Sequence, residues 1–192
     1  MTPAASTPEP VAAGAPVAVI QCHPVVDSYS TALLDAVTDG LAQVGATASV
    51  VRLALGDEVR LDDLRHARLL IVVAPTWWGA MPAELLAWIQ RELGPWIDGD
   101  HPAATSPLAD LDRLVLVTSY GSSRLVNAVQ GEPGVHLWRA VLRACTHQAR
   151  FERIACFGVD RLDRTALTRH LTVVADRVAG RAGSIAEVIT SS

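Results

Sequence analysis

Residues 69–82 read LLIVVAPTWWGAMP. An apolar run of strand length stops at Pro75, two adjacent tryptophans and a glycine follow, and Pro82 precedes a helical pattern. Proline lacks an amide donor, so Pro75 closes a central strand and the chain must leave the sheet there. A buried strand that ends in a Trp-rich loop puts flat aromatic surface at the mouth of a sheet, where α/β proteins bind their ligands.

Strand and helix patterns alternate on either side of this stretch. Residues 17–21 form a short apolar run, the first strand. Residues 28–44 are helical, because Leu33, Leu34, Val37, Leu41 and Val44 share one face, and Gly45 closes the helix. Residues 48–53 are a β-branched second strand. A mixed-charge segment at 57–67 has room for one or two helical turns, and residues 69–74 are the third strand. Pro82 suits the first turn of a helix whose buried face is Leu85, Leu86, Ile89 and Leu93. That helix is expected to end before the Gly-, Pro- and Asp-rich stretch 94–107. Residues 114–118 read as a fourth strand, 119–134 as a long polar loop, 135–147 as a helix and 153–157 as a short fifth strand. A last helix over 164–179 carries Leu167, Leu171, Val174 and Val178 on one face.

This alternation predicts an α/β fold: a five-stranded parallel sheet covered by helices on both faces, with right-handed crossovers. The length suits the flavodoxin-like order 2-1-3-4-5 better than the longer dinucleotide fold. Residues 1–16, rich in Ala, Pro, Ser and Thr, read as a flexible N-terminal tail without the features of a secretory signal. Residues 17–180 read as one domain and 181–192 as a C-terminal tail.

Composition narrows the function. Half of the 192 residues are hydrophobic, an ordinary globular balance. A net charge of −4 without a Lys/Arg cluster argues against nucleic acid as a partner. No apolar run reaches membrane-span length, so no membrane insertion is expected. Cys22, Cys145 and Cys156 form no CxxC pair and read as reduced thiols, which points to a cytoplasmic protein. Neither GxGxxG nor a GK[ST] phosphate loop nor GxSxG occurs, and no two histidines stand four apart, so no metal is expected.

Three loops remain. After the first strand, His23 and then Asp27, Ser28, Tyr29 and Ser30 stand at a helix start, where free N–H groups and the helix dipole favour an anion. The commoner use of Asp27 or Ser28 is a plain helix cap. After the third strand, Thr76, Trp77, Trp78 and Gly79 offer a ring on which a flat ligand can lie. The plain alternative makes the tryptophans core or interface residues, and adjacent residues of an extended loop cannot both face one way. After the fourth strand, Gly121, Ser122 and Ser123 offer amide and hydroxyl donors for negative charge on a ligand. In the order 2-1-3-4-5 all three loops share one sheet edge, and that convergence marks a site.

These residues resemble the NAD(P)H:quinone oxidoreductases of the flavodoxin-like fold, over roughly residues 17–160. His23 with the triplet Ser28, Tyr29 and Ser30 matches the loop that holds flavin phosphate in that family. Pro75, Thr76, Trp77, Trp78 and Pro82 match its P-x-x-W-[WFY]-x-x-P motif, which contacts the isoalloxazine ring, and Trp78 is the ring expected to wall the pocket. Thr118, Ser119, Tyr120 and Gly121, followed by Ser122, stand at its Thr-Thr-Gly-Gly motif. The tyrosine and histidine that relay protons in the animal enzymes have no counterparts, because Val126 and Glu132 or Pro133 occupy those positions. Tyr120 and His136 are the replacements considered as catalytic residues. The resemblance implies FMN, with FAD the alternative, and NAD(P)H as co-substrate. It implies two-electron ping-pong reduction of a quinone-like small-molecule acceptor by a homodimer of the short bacterial type. Competing readings are a flavodoxin-type electron carrier and a flavin-binding regulatory subunit of a transporter.

Overall fold

The computed structural model describes residues 16–53 and 60–190. Most of the N-terminal stretch, and the start of the 57–67 segment, lie outside the described residues. Five strands form one parallel sheet: β1 (Val17–Gln21), β2 (Ala48–Arg52), β3 (Leu69–Val73), β4 (Arg113–Tyr120) and β5 (Arg150–Phe157). Their spatial order is β2-β1-β3-β4-β5, the expected flavodoxin-like order. β1 and β3 are buried along their whole length, as central parallel strands must be when helices cover both faces.

The helices are α1 (Tyr29–Gln43), α2 (Ala83–Ile97), α3 (Arg124–Val129), α4 (Pro133–Cys145) and α5 (Arg164–Thr190). α1 and α5 cover one face, with Leu33, Leu34, Val37, Val174 and Val178 packed on Val19, Ile71 and Val117. α2 and α4 cover the other, with Leu85, Trp88, Trp138 and Val141 packed on Ile20, Val72 and Leu116. Complete burial of an aliphatic side chain such as Leu33 or Leu34 contributes about 1.5–3 kcal/mol. α1 approaches α5 closely because Gly40 has no side chain: a Cβ there would lie 2.4 Å from the carbonyl oxygen of Ala175.

Several boundaries differ from the sequence reading. α2 runs through Gly94 and Pro95 to Ile97. Proline needs only to lose one intrahelical bond, and Leu93 and the partly buried Trp96 and Ile97 anchor the last turn on the core. On this helix Trp88 takes the buried position and Leu86 is exposed. The loop after β4 contains α3, and β4 itself extends through Ser119 and Tyr120. α5 does not stop at Ala179. Residues 181–190 are helix rather than tail, held by burial of Ala182 and Ile185 against the α1 face. Between β2 and β3, Leu61–Leu64 makes a single 3-10 turn.

Candidate functional site

The register brings the carboxyl ends of the strands to one edge. Gln21 pairs with Val73, Val73 with Val117, and Tyr120 with Phe157. The loops after β1, β3, β4 and β5 therefore emerge side by side. They are also stitched together by backbone bonds. Cys22 N–H donates to Val73 O at 2.9 Å, Ala74 N–H to Val117 O at 3.1 Å, and Gly158 N–H to Ser122 O at 2.9 Å.

The β3 loop is the most constrained. Pro75 is buried, and Thr76 still pairs with β4: its N–H donates to Ser119 O at 2.8 Å and its hydroxyl meets that of Thr118 at 3.1 Å. Trp77 and Ala80 then exchange both backbone bonds, at 2.9 and 2.8 Å, closing a two-residue turn. The central residues have φ of 53° at Trp78 and 79° at Gly79. Positive φ at both positions defines a type I′ turn, normally made by Asn-Gly. A tryptophan in left-handed backbone is an outlier that costs on the order of 1–2 kcal/mol. The turn throws Trp78 wholly into solvent, at 103% relative exposure, while Trp77 is 40% exposed. Trp77 instead meets the His23 ring edge-on, with centroids 5.3 Å apart. Neither tryptophan belongs to the core, so of the plain alternative, core or interface, only the interface role is left. Met81 anchors the end of this loop against Gly134, where a Cβ would clash with its methyl group at 2.3 Å.

The β1 loop offers donors rather than rings. His23 Nδ1 accepts from Val25 N–H at 3.0 Å, which turns the chain after the strand. Thr31 donates its hydroxyl to Val26 O, and Ser28 caps α1 by accepting from Thr31 N–H at 3.3 Å. The cap reading of Ser28 is thus correct. It leaves the N–H groups of Tyr29 and Ser30 with no partner among the described residues. The Ser30 hydroxyl is buried and also unpartnered. An orphaned buried hydroxyl costs about 1–3 kcal/mol, and it lies at the positive end of a 15-residue helix. These residues fit the phosphate of a flavin. Tyr29 points elsewhere: its hydroxyl neighbours the Cys156 thiol without an aligned hydrogen bond, and burial followed by that thiol push the phenol up. Burial, then the Glu84 carboxylate, raise the Cys22 thiol to about 11.

The β4 loop is narrower than its composition suggests. Ser122 Oγ accepts from the buried Asn127 amide at 2.8 Å, and Ser123 caps α3. The backbone N–H groups of Ser122 and Ser123 remain without a partner among the described residues. Asp160, from the β5 loop, lies against Gly121, where a Cβ would come within 2.6 Å of its carboxylate. An acid at this spot leaves less room for developing negative charge than the Gly-Ser-Ser sequence implies. Asn127 carries no local signal of a role in the sequence. Its amide, donating also to Ser123 O at 2.9 Å, is what fixes the loop.

The two catalytic expectations separate. Tyr120 is buried on β4, stacked on Phe157 at 4.8 Å, and its hydroxyl takes a bond from Arg153 at 3.3 Å. Arg153 also bonds Glu132 at 2.7 Å, and Glu132 sits at φ 45° as the cap of α4. This network holds the α3–α4 corner. His136 is on α4, whose inward positions are taken by Gly134, Val135 and Trp138, so helical phase turns residue 136 outward. It lines a cavity on the flank of the molecule with Arg139 and Arg143, away from the three loops.

A family profile described as flavodoxin-like fold matches residues 15–178. Among solved structures, an NAD(P)H:quinone oxidoreductase from Methanothermobacter marburgensis is 19% identical, with a TM-score of 0.65 over 87% of this chain and 96% of its own. An FMN-dependent NADH-azoreductase from Bacillus anthracis, in complex with FMN, is 14% identical, with a TM-score of 0.67 over 87% and 99%. An NADPH-quinone reductase from P. pentosaceus is 16% identical, with a TM-score of 0.63 over 84% and 96%. No curated protein matches the chain in sequence. The chain belongs to the flavodoxin-like fold family.

Proposed function

We propose that this chain is a flavin-dependent NAD(P)H oxidoreductase that binds FMN at the carboxyl edge of its sheet and reduces a quinone-like acceptor by a two-electron ping-pong reaction. The observation that carries this reading is the buried, unpartnered Ser30 hydroxyl beside the open N–H groups at the start of α1. The names of the solved relatives, quinone reductases and an FMN-dependent azoreductase, support it. When bound, the flavin supplies hydride acceptance from a nicotinamide and hydride donation to the acceptor.

The chain's own residues bind and orient. Ser28, Tyr29 and Ser30 would receive the phosphate. His23, Pro75, Thr76, Trp77 and Trp78 would wall the ring, with Trp77 fixed by His23 and Trp78 free to close over it. Gly121 and Ser122 would meet the ring's polar edge with backbone groups, supported from below by Thr118 and Ser119 at the end of β4. Tyr120 is held by Arg153, so its proposed part is to shape the floor beside Phe157.

Exposed apolar residues surround this edge: Val25 and Val26, Trp77 and Trp78, and Leu125, Val126 and Val129 on α3. A rim of that kind supports a homodimer that covers it. Among the described residues no helix is long and apolar enough to cross a membrane; the proposed location is the cytoplasm, which keeps the free thiols of Cys22, Cys145 and Cys156 reduced.

The test is to purify the protein and record its visible spectrum. A yellow protein is expected, whose heat-released chromophore co-elutes with FMN and whose colour is bleached anaerobically by NADH or NADPH and restored by a quinone. A colourless protein that binds no added FMN sinks the proposal. A flavoprotein that only a partner reductase can reduce is instead an electron carrier.

A further inference from the structure

A cavity of about 580 Å3 lies on the outer flank of α4, bounded by the 146–149 connection and the start of β5. No residue of the three loops lines it, and Phe151 on its wall pairs with Leu114 near the beginning of β4. His136, Arg139 and Arg143, three or four residues apart, form a stripe along the helix, and His147 joins them from the 146–149 connection. No carboxylate lines the cavity.

Six arginines of the molecule are ion-paired among the described residues and others, such as Arg124, are not; Arg139 and Arg143 are two unpaired ones that share this cavity. Like charges four apart on a helix repel, so the stripe is destabilising by itself. The negative end of the helix dipole offsets Arg143 in the last turn, but it does nothing for Arg139 at mid-helix. The cavity also has an apolar wall. Leu142 is buried, Phe151 is half-buried, and the Arg139 guanidinium lies over the Phe151 ring at 5.8 Å from its centroid. Uncompensated guanidiniums above an aromatic and aliphatic surface match a ligand that is flat at one end and anionic at the other.

We propose that the flank cavity of α4 and β5 is a second ligand site, which takes a small planar aromatic phosphate of the mononucleotide class. The phosphate sits between Arg139 and Arg143, and the ring lies against Phe151 and Leu142. The site is independent of the flavin reading and is tested without added flavin.

The probes are AMP, adenosine and inorganic phosphate, titrated calorimetrically into the full-length protein. AMP is expected to bind saturably and more tightly than either adenosine or phosphate. Arg139→Gln and Arg143→Gln are each expected to weaken AMP by about tenfold. Both side chains are exposed, so the variants should keep the parent's thermal unfolding. Independently of any variant, AMP should shift the ring resonances of His136 and His147 in the unmodified protein. The proposal is overturned by an absence of saturable AMP binding at millimolar concentration. It is equally overturned by AMP binding that both variants leave unchanged, by histidine resonances that do not move, or by phosphate binding as tightly as AMP.

Discussion

The two loops that leave the neighbouring ends of β1 and β3 are built on opposite principles. The β3 loop is closed on itself: Trp77 and Ala80 satisfy each other's backbone groups, Thr76 remains tied to Ser119, and the ring surface is presented by force of backbone geometry. The β1 loop is open. It caps α1 with Ser28 and still leaves the Ser30 hydroxyl and nearby N–H groups unsatisfied. One wall stores its cost as strain in a left-handed tryptophan. The other stores it as unmet hydrogen bonding that an anion would relieve. Shape comes from the first wall and charge recognition from the second.

The largest effect expected from a single change falls on the frame behind the open wall. Gly40→Ala would push a methyl group to 2.4 Å from the Ala175 carbonyl oxygen, a backbone atom that cannot swing aside. Overpacking of this kind costs up to about 3 kcal/mol, and calorimetry should show a fall in Tm of several degrees. The displaced α1 would carry Ser28–Ser30 with it, while the Trp turn, anchored on β4 and α4, would stay. A variant as stable as the parent would show that α1 has slack, and that the open wall is not fixed by packing.

Alkaline pH should separate the walls next. The Cys22 thiol opens the β1 loop, and its pKa is raised from 9.0 to about 11 by burial and by Glu84. Between those values the unfolded chain has lost the proton and the folded chain keeps it, so stability falls as pH rises from about 9 to about 11. The buried Cys145 thiol, also raised to about 11, adds to the same slope. The two together amount to a few kcal/mol. Urea midpoints across this range should drop, and Cys22→Ala with Cys145→Ala should flatten the profile. The closed wall from Thr76 to Ala80 holds no titratable group, so nothing comparable arises there.

The sequence was most legible where burial enforces periodicity. Continuous apolar runs named β1 and β3, and the convergence of three loops on one edge followed from strand order. It was least legible where a tertiary contact overrides a local signal. Gly94 and Pro95 look like a helix end, yet Leu93, Trp96 and Ile97 hold α2 together beyond it. Residues 181–190 look like a tail, yet Ile185 finds a buried seat on the α1 face. At the site, Trp-Trp-Gly could be recognised as loop but not as a type I′ turn, because a tryptophan is not what such a turn prefers. Asn127 and Glu132 gained roles only through partners in the fold, Ser122 and Arg153. The basic stripe on α4 is not visible as a cluster in the sequence, because its members are three or four residues apart, which only a helix brings together.

A smaller effect tests the open wall directly. Ser30→Ala removes the hydroxyl and adds no atom. Stability should hold or rise slightly, because an unpartnered buried polar atom is lost. Affinity for FMN, followed by quenching of flavin fluorescence, should fall about tenfold with the loss of one phosphate donor. A variant that binds FMN as tightly as the parent would remove the main support for a phosphate at α1.

The smallest expected effect runs in the other direction. Trp78→Gly puts the residue preferred by left-handed backbone at the first central position of the turn, and Trp78 has no burial to lose because it is fully exposed. The relief of left-handed strain, reduced by the extra freedom glycine gives the unfolded chain, should leave a gain of about 0.5–1 kcal/mol. That gain should appear as a modest rise in the urea midpoint. If the ring were there for stability, the midpoint would fall instead. If it is there to cover a bound flavin, the stabilised variant should release FMN faster. A strained, solvent-exposed tryptophan would then be explained by the ligand it closes over, and the closed wall would prove no more self-sufficient than the open one.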